Sequence, residues 1–397
     1  MKISILGAAY PMRGGMAHYI TLLYEHLKKR HEVDIISFSL QYPKILFPGK
    51  TQEEPPGEET IKVTNILPLM NSINPFSWFK TAMHIINSKP DLLIINYWMP
   101  FFAPCYGTIA LITKFFNKNI KIFYLCQNII PHEKRLGDLL LTRYAFVVAD
   151  AGIVLSKSVE HDFISLFPKK KFTNTPHPVY TMFGDKLEKN SCRKELGITD
   201  EKVILFFGYI RTYKGLDILI EAMPQILQSV TLRLMVVGES YEKEDKYVNL
   251  VEELGLKNNV TLKTDYVPND DVKKYFSASD VVVLPYRSAT QSGIIQIAYN
   301  FDKPVIATNV GGLAEVVKNG ETGFIVEPNN PKKIAEAVIK FYAEDYENKF
   351  VNNITQEKKK YSWDTMVENI EKLYRSESGS IPHQLDKDKV ESPNGRG

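Results

Sequence analysis

Two stretches carry residue types that can hold an anion. The apolar, β-branched run Asp280–Pro285 predicts a buried strand closed by proline. Ser288-Ala289-Thr290-Gln291-Ser292-Gly293 follows it, small and polar, and leads into an apolar helix over Ile294–Tyr299. Strand, small-residue turn and helix N-terminus leave free N–H groups and the helix dipole pointing the same way, which makes an anion site. An ordinary crossover turn would read the same on this stretch alone. The second stretch is Phe207-Gly208-Tyr209-Ile210-Arg211-Thr212-Tyr213-Lys214-Gly215-Leu216-Asp217, between a strand and a helix start. Cations oppose the dipole there. Arg211 and Lys214 therefore read as groups that take charge from an anion without a metal, not as a solvated basic pair. No His, Cys or carboxylate set shows metal-ligand spacing, so no metal site is expected.

The elements around these stretches alternate. Lys2–Leu6 and Val33–Ser37 read as strands flanking a helix over Met16–Lys29, with apolar spacing at Ile20, Leu23 and Leu27. Lys62–Ile66, Leu92–Asn96, Ile120–Cys126 and Ala151–Leu155 follow as strands, with helices over Phe76–Ile86, Ala103–Lys114 and Arg135–Ala149 between them. The loop Gln41–Thr60, rich in Pro, Gly and Glu, is expected to be mobile. A second unit repeats the pattern through Val203–Phe207, Leu232–Val237, Val260–Lys263, Val281–Pro285 and Val305–Thr308. Pro304–Thr308 leads to Gly311-Gly312 and a helix beginning near Leu313. This alternation predicts an α/β protein of two Rossmann-like, doubly wound parallel sheets. The expected units are residues 1–178, 179–350 and a pair of terminal helices over 351–375, with a disordered polar tail over 376–397.

Length and composition agree with that plan. A chain of 397 residues, 44% hydrophobic and 24% charged, is too long for one ordinary core and has the balance of a globular protein. Cys105, Cys126 and Cys192 are odd in number and far apart, as buried thiols in a reducing compartment would be. The short apolar opening is unlike a signal peptide, so a cytoplasmic location is expected. Leu92–Thr113 is uncharged, but Asn96, Pro100, Pro104 and Gly107 break it, and strand, loop and helix fit better than a membrane span. Residues 1–175 hold 20 Lys and Arg against 13 Asp and Glu, leaving 29 against 33 for the rest. A basic first half suits a phosphorylated acceptor or an anionic membrane surface, peripheral contact included, though a merely solvated surface would look similar. Two such units would also fit a dehydrogenase, but neither GAAYPMRGG nor FFGYIRTYKG supplies a G-x-G-x-x-G. A periplasmic sugar-binding protein would need a secretion signal.

The run PYRSATQSGIIQIAYNFDKPVIATNVGGLAEVVKNGETGFIVEPNNP resembles the nucleotide-sugar-binding segment of retaining family-4 glycosyltransferases with the GT-B fold. Pro304-Val305-Ile306-Ala307, Gly311-Gly312, Glu315, Gly320 and Gly323 match it, while Ala289 and Ile297 stand where that family carries a pair of glutamates. Lys214 matches the family's diphosphate-binding lysine; Tyr209 stands at the arginine position, with Arg211 two residues on. Gly14-Gly15 is similar to the loop that approaches donor phosphate and acceptor, Gly208 belongs to the diphosphate loop, and Tyr266-Val267-Pro268 resembles the segment bordering the nucleobase. Cys126-Gln127-Asn128-Ile129-Ile130-Pro131-His132-Glu133 stands on the acceptor side, with Gln127 where relatives often carry histidine and His132 as its nearest substitute.

The resemblance, which covers roughly residues 1–375, implies transfer of a sugar from a nucleotide-sugar donor to an acceptor hydroxyl with retention of configuration. No cofactor is implied beyond the donor as co-substrate, and no nucleic acid. The acceptor would be a glycan, a lipid or a small molecule, in polysaccharide or other glycoconjugate synthesis. The catalytic candidates are Lys214, Arg211 and His132. Donor binding would fall to Gly14, Gly15, Gly208, Tyr266 and Gly293, with the neutral Thr290, Gln291, Ser292 and Gln296 taking over from the missing glutamates. Gln127, Asn128 and Glu133 would face the acceptor. A weakly catalytic, nucleotide-sugar-binding subunit is the alternative that those missing glutamates raise.

Overall fold

The computed structural model describes residues 1–47, 51–54, 63, 65–131, 135–198, 202–242 and 245–378. Among these, β1 (Lys2–Leu6), β2 (Glu32–Leu40), β3 (Ile66–Asn71), β4 (Leu92–Tyr97), β5 (Lys121–Cys126), β6 (Ala151–Val154) and β7 (Lys171–Asn174) form one parallel sheet in the order β3-β2-β1-β4-β5-β6-β7. A second parallel sheet comprises β8 (Lys202–Phe207), β9 (Leu232–Val237), β10 (Val260–Lys263), β11 (Val281–Leu284), β12 (Val305–Thr308) and β13 (Gly323–Val326), in the order β10-β9-β8-β11-β12-β13.

Helices cover both faces of each sheet, so central strands are apolar without alternation. Every residue of β4, LLIINY, is buried. Register stacks like on like: Ile5 of β1 lies opposite Ile35 of β2 and Ile94 of β4. In the second sheet Ile204 of β8 faces Leu234 and Val281.

Each half has its own core on one face, around Phe38, Tyr106 and Phe146 in the first and Phe206, Leu219 and Phe341 in the second. A third core is shared, running from Ile5 and Tyr19 through Tyr180 to Phe207, Tyr299 and Trp363. The last helix, Trp363–Glu377, lies on the first, Gly15–Leu27. There Trp363 stacks on His26 at 5.5 Å and donates from Nε1 to the carbonyl of Val179 at 2.9 Å, while His31 meets Glu371 at 3.0 Å. These contacts tie the end of the chain to its beginning.

Four sequence expectations shift. The strand expected at Lys62–Ile66 lies largely outside the described residues, and the strand seen starts at Ile66. It contains Pro68, which an edge strand tolerates because one side of its backbone needs no partner. The helix expected over Arg135–Ala149 spans only Asp138–Ala145, since Gly137 at φ 92° opens it and Phe146 turns inward onto Tyr124. The loop expected to be mobile is anchored at 51–54: Arg13 N–H donates to the Gln52 carbonyl, and Glu54 N–H to that of Pro11. The final helix extends to Glu377, past the expected end at 375, and residues beyond 378 lie outside those described. Leu92–Thr113 folds as β4, a short turn and the helix Ala103–Phe116, and no helix among the described residues is long and apolar enough to cross a membrane.

Candidate active site

Both sheets reverse direction of winding at their first strand, between β1 and β4 and between β8 and β11. At such a switch point neighbouring loops part, opening a crevice beyond the carboxyl ends of the strands. The two crevices face each other across one cavity of about 400 Å³. Its walls come from loops after strands of both halves: Gly14 and Gly15 after β1, Trp98 after β4, Gln127 and Asn128 after β5, Gly208, Tyr209, Tyr213 and Lys214 after β8, Gly238 and Glu239 after β9, Tyr266 after β10, and Tyr286 and Ala289 to Gly293 after β11.

Lys214 is 7% exposed and its ammonium lies 5.5 Å from the centre of the Tyr286 ring. Burial, helped by the nearby charge of Arg211, pushes its pKa down to about 7. The next residue explains the placement. Gly215 sits at φ 66°, and a Cβ there would fall 2.1 Å from the Pro285 carbonyl oxygen, so only glycine lets this loop press against the one after β11. Arg287 locks the two together with a bidentate pair to Asp217 at 2.9 Å and its own N–H on the Tyr213 carbonyl at 2.7 Å.

The loop Ser288–Ser292 is shaped from below. Gly311 has φ 49°, and a Cβ on it would sit 1.6 Å from the Ala289 carbonyl oxygen; Gly312 N–H donates to the Thr290 carbonyl at 3.1 Å. The loop thereby feeds Gly293 into the helix Gly293–Asn300, whose Ser292 N-cap makes no side-chain hydrogen bond to it. Gly293 and Ile294 at that helix start line the cavity, and the first N–H groups of a helix lack intrahelical partners. Ala289 and Ile297 also line the cavity, so no carboxylate enters from these two positions.

Hydrogen bonds cross the cavity between the halves. Gln291 Nε2 donates to Gln127 Oε1 at 2.8 Å, Asn269 Nδ2 to Glu54 at 3.2 Å, and Arg13 Nη2 to Glu239 at 2.5 Å. Buried Gln127 Nε2, Asn128 Oδ1 and Gln291 Oε1 have no hydrogen-bond partner among the described residues. Buried polar atoms without partners are costly, so these three are candidates for contact with a ligand.

Most residues expected at the site lie on the cavity wall: Gly14, Gly15, Gly208, Lys214, Tyr266, Thr290, Gln291, Ser292, Gly293, Gln127 and Asn128. His132 and Glu133 lie outside the described residues. Two expectations are corrected. Arg211 is exposed, its guanidinium 4.8 Å from the Tyr241 ring and off the cavity wall, because Tyr209 takes the inward position of that loop. Gln296 is 1% exposed and turned into the protein, since the helix puts Ile297 on the cavity side instead. Sequence reasoning did not single out Arg13, Glu54 and Glu239, which bond across the cavity. Arg13 adjoins the glycine pair, which was the available signal.

Residues 13–181 match the family model described as Glycosyltransferase Family 4, and residues 188–361 that described as Glycosyl transferases group 1. An uncharacterized glycosyltransferase of Methanocaldococcus jannaschii is 26% identical, over 94% of this chain and 98% of that protein. A putative glycosyltransferase of Bacillus subtilis is 32% identical over 62% of this chain and 63% of its own length. Among solved structures, sucrose-phosphate synthase from Thermosynechococcus elongatus superposes with a TM-score of 0.72 at 19% identity, over 96% of this chain and 100% of that one. Anabaena HepE, solved with UDP, superposes at 0.69 and 20% identity, over 95% and 100%. The fold is GT-B.

Proposed function

From the premise that the chain belongs to the family-4 type of GT-B glycosyltransferases, we propose that it moves a sugar from a nucleoside diphosphate donor to an acceptor hydroxyl with retention and without a metal. One observation carries the reading: Lys214, buried at the cavity wall, shares that wall with the helix start at Gly293. A developing diphosphate is stabilised by preorganised cations and N–H groups in a site closed to water. The second half, after β8 and β11, would hold the donor, and Gln127 and Asn128 of the first half would face the acceptor. The neighbour Anabaena HepE has also been solved in complex with UDP-glucose, which supports a nucleotide-sugar donor in this fold.

The test is a hydrolysis and transfer screen across UDP-, GDP-, ADP-, CDP- and dTDP-sugars in EDTA, with the anomeric configuration of the product read by NMR. Turnover in EDTA with retention is expected. Activity that only Mg²⁺ or Mn²⁺ restores would remove metal independence, and an inverted product would remove retention. A second reading, a donor-binding subunit with little turnover, draws on Ala289 and Ile297 at the cavity wall; tight donor binding without any turnover would establish it.

Peripheral membrane contact through the first half is part of the proposal. That half is the basic one, and Phe76, Phe79, Phe115, Phe116, Leu136 and Leu140 are exposed on it. Cosedimentation with vesicles of phosphatidylglycerol, but not of phosphatidylcholine, is expected; equal binding to neither lipid would exclude the contact.

A further inference from the structure

Lys214 reaches the cavity wall from its own loop, while Arg211 is exposed over the Tyr241 ring and does not line the cavity. A diphosphate leaving group carries more charge than one ammonium offsets, so a second cation is wanted close to that wall; Arg13 stands directly behind it, held by Glu239 and Tyr266, which line the cavity. Arg13 comes from the opposite half. Its side chain is 4% exposed, with Nη2 on Glu239 at 2.5 Å and the guanidinium 5.2 Å from the centre of the Tyr266 ring. Its Nε is buried without a hydrogen-bond partner among the described residues.

The position relative to Lys214 follows from the glycines between them. Glu239 follows Gly238, whose Cβ position lies 2.5 Å from the Gly208 carbonyl oxygen, and the Lys214 ammonium lies 3.1 Å from the Cβ position of Gly208. The carboxylate that holds Arg13 and the ammonium of Lys214 thus flank one two-glycine wall. Tyr209 fills the place between the loops, with its hydroxyl 3.0 Å from the Cβ position of Gly14. Arg13 is anchored through its backbone, donating to the Gln52 carbonyl at 3.0 Å, so its side chain can turn without moving the loop.

We propose that Arg13 is the second cation for the donor's diphosphate, supplied across the cleft and held by Glu239 until that group binds. This rests on the nucleotide-sugar reading above. A guanidinium held by one carboxylate contact can exchange it for a bidentate pair to a phosphate. The exchange makes donor binding depend on closure, since the cation and the lysine belong to different halves.

Calorimetric titration of the full chain with UDP, GDP, ADP, CDP and dTDP, and with the matching nucleosides, tests it. With the diphosphate that binds best, Arg13→Gln is expected to lose about tenfold to a hundredfold in affinity and nothing toward the nucleoside. Arg13→Lys should recover part of the loss and stands in if Arg13→Gln fails to fold. Glu239→Gln should bind the diphosphate at least as tightly as the natural protein, because the competing charge is gone. A purely structural bridge predicts that Arg13→Gln and Glu239→Gln weaken diphosphate and nucleoside alike, and that result overturns the proposal. Diphosphate affinity unchanged in Arg13→Gln also overturns it while leaving the nucleotide-sugar reading intact. If the natural protein binds none of the five diphosphates, both readings fall together.

Discussion

Lys214 is half-charged near neutrality, with its pKa down at about 7, so its role as a cation depends on pH. Bound diphosphate stabilises the ammonium, and the free protein above pH 7 must take up a proton to bind. Donor affinity is therefore expected to fall by up to about tenfold per pH unit as pH rises above about 7. Lys214→Arg, charged throughout, should flatten that profile, and Lys214→Ala should cost roughly 3–4 kcal/mol in transition-state stabilisation. Titrations of the bound donor from about pH 6 to about pH 9, with single-turnover rates for the alanine variant, decide this. A flat profile in the natural protein would remove the titrating lysine from donor binding. Lys214 was legible in the sequence because glycine follows it and a helix starts there. Arg211 was legible as a charge but not as a direction. Which side of a loop faces a cavity is set by packing, here by Tyr209 pointing inward against the Gly14 loop. Arg13 escaped notice for a related reason: its partner Glu239 lies 226 residues away and on the other sheet.

At the scale of elements, the central strands and the edge strand β10 read directly from the sequence, while the edge strands β7 and β13 did not. β7, KFTN, and β13, GFIV, are four residues each and pair on one side only, so neither has the long hydrophobic run that marks a strand buried on both faces. The support beneath the loop Ser288–Ser292 was visible as Gly311-Gly312 but not as a contact. Those glycines let the loop after β12 touch the backbone of the loop after β11, and no side chain fits between. Gly311→Ala puts a Cβ against the Ala289 carbonyl oxygen at a left-handed φ, so the loop Ser288–Ser292 must shift or the backbone must strain by roughly 1–3 kcal/mol. The expected outcome is a folded protein whose donor affinity drops at least tenfold, with a thermal midpoint a few degrees lower. Gly320→Ala is the control: it too has positive φ, at 77°, but a Cβ there meets nothing within 4 Å. Equal donor affinity in the two variants would show that strain, and not the pressed loop, governs the site.

Across the whole molecule, the two halves share a core and are tied by directional contacts, those of Glu315 among them. Its carboxylate accepts from the N–H groups of Lys157 at 2.8 Å and Ser158 at 3.3 Å, at the start of the helix Lys157–Leu166 in the other half. Ser156, the N-cap of that helix, donates from its hydroxyl to the Thr290 carbonyl at 3.3 Å. An acidic group at a helix start gains from both the free N–H groups and the dipole, and here that gain exists only while the halves are closed. Because Glu315 lies just past Gly311-Gly312, the same short segment shapes the donor loop and clamps the opposite half. Removing the carboxylate in Glu315→Ala should favour the open form by about 1–3 kcal/mol, the worth of charged hydrogen bonds. Without donor, small-angle scattering should show a larger radius of gyration than for the natural protein. Saturating nucleoside diphosphate should bring the two curves together, since bound phosphate bridges the halves again. Glu315→Gln keeps one acceptor but loses the charge, so its expansion should fall between the two. If Glu315→Ala scatters like the natural protein and binds donor as tightly, the carboxylate is only a helix cap, and closure must rest on the Arg13, Glu54 and Gln291 contacts around the cavity itself.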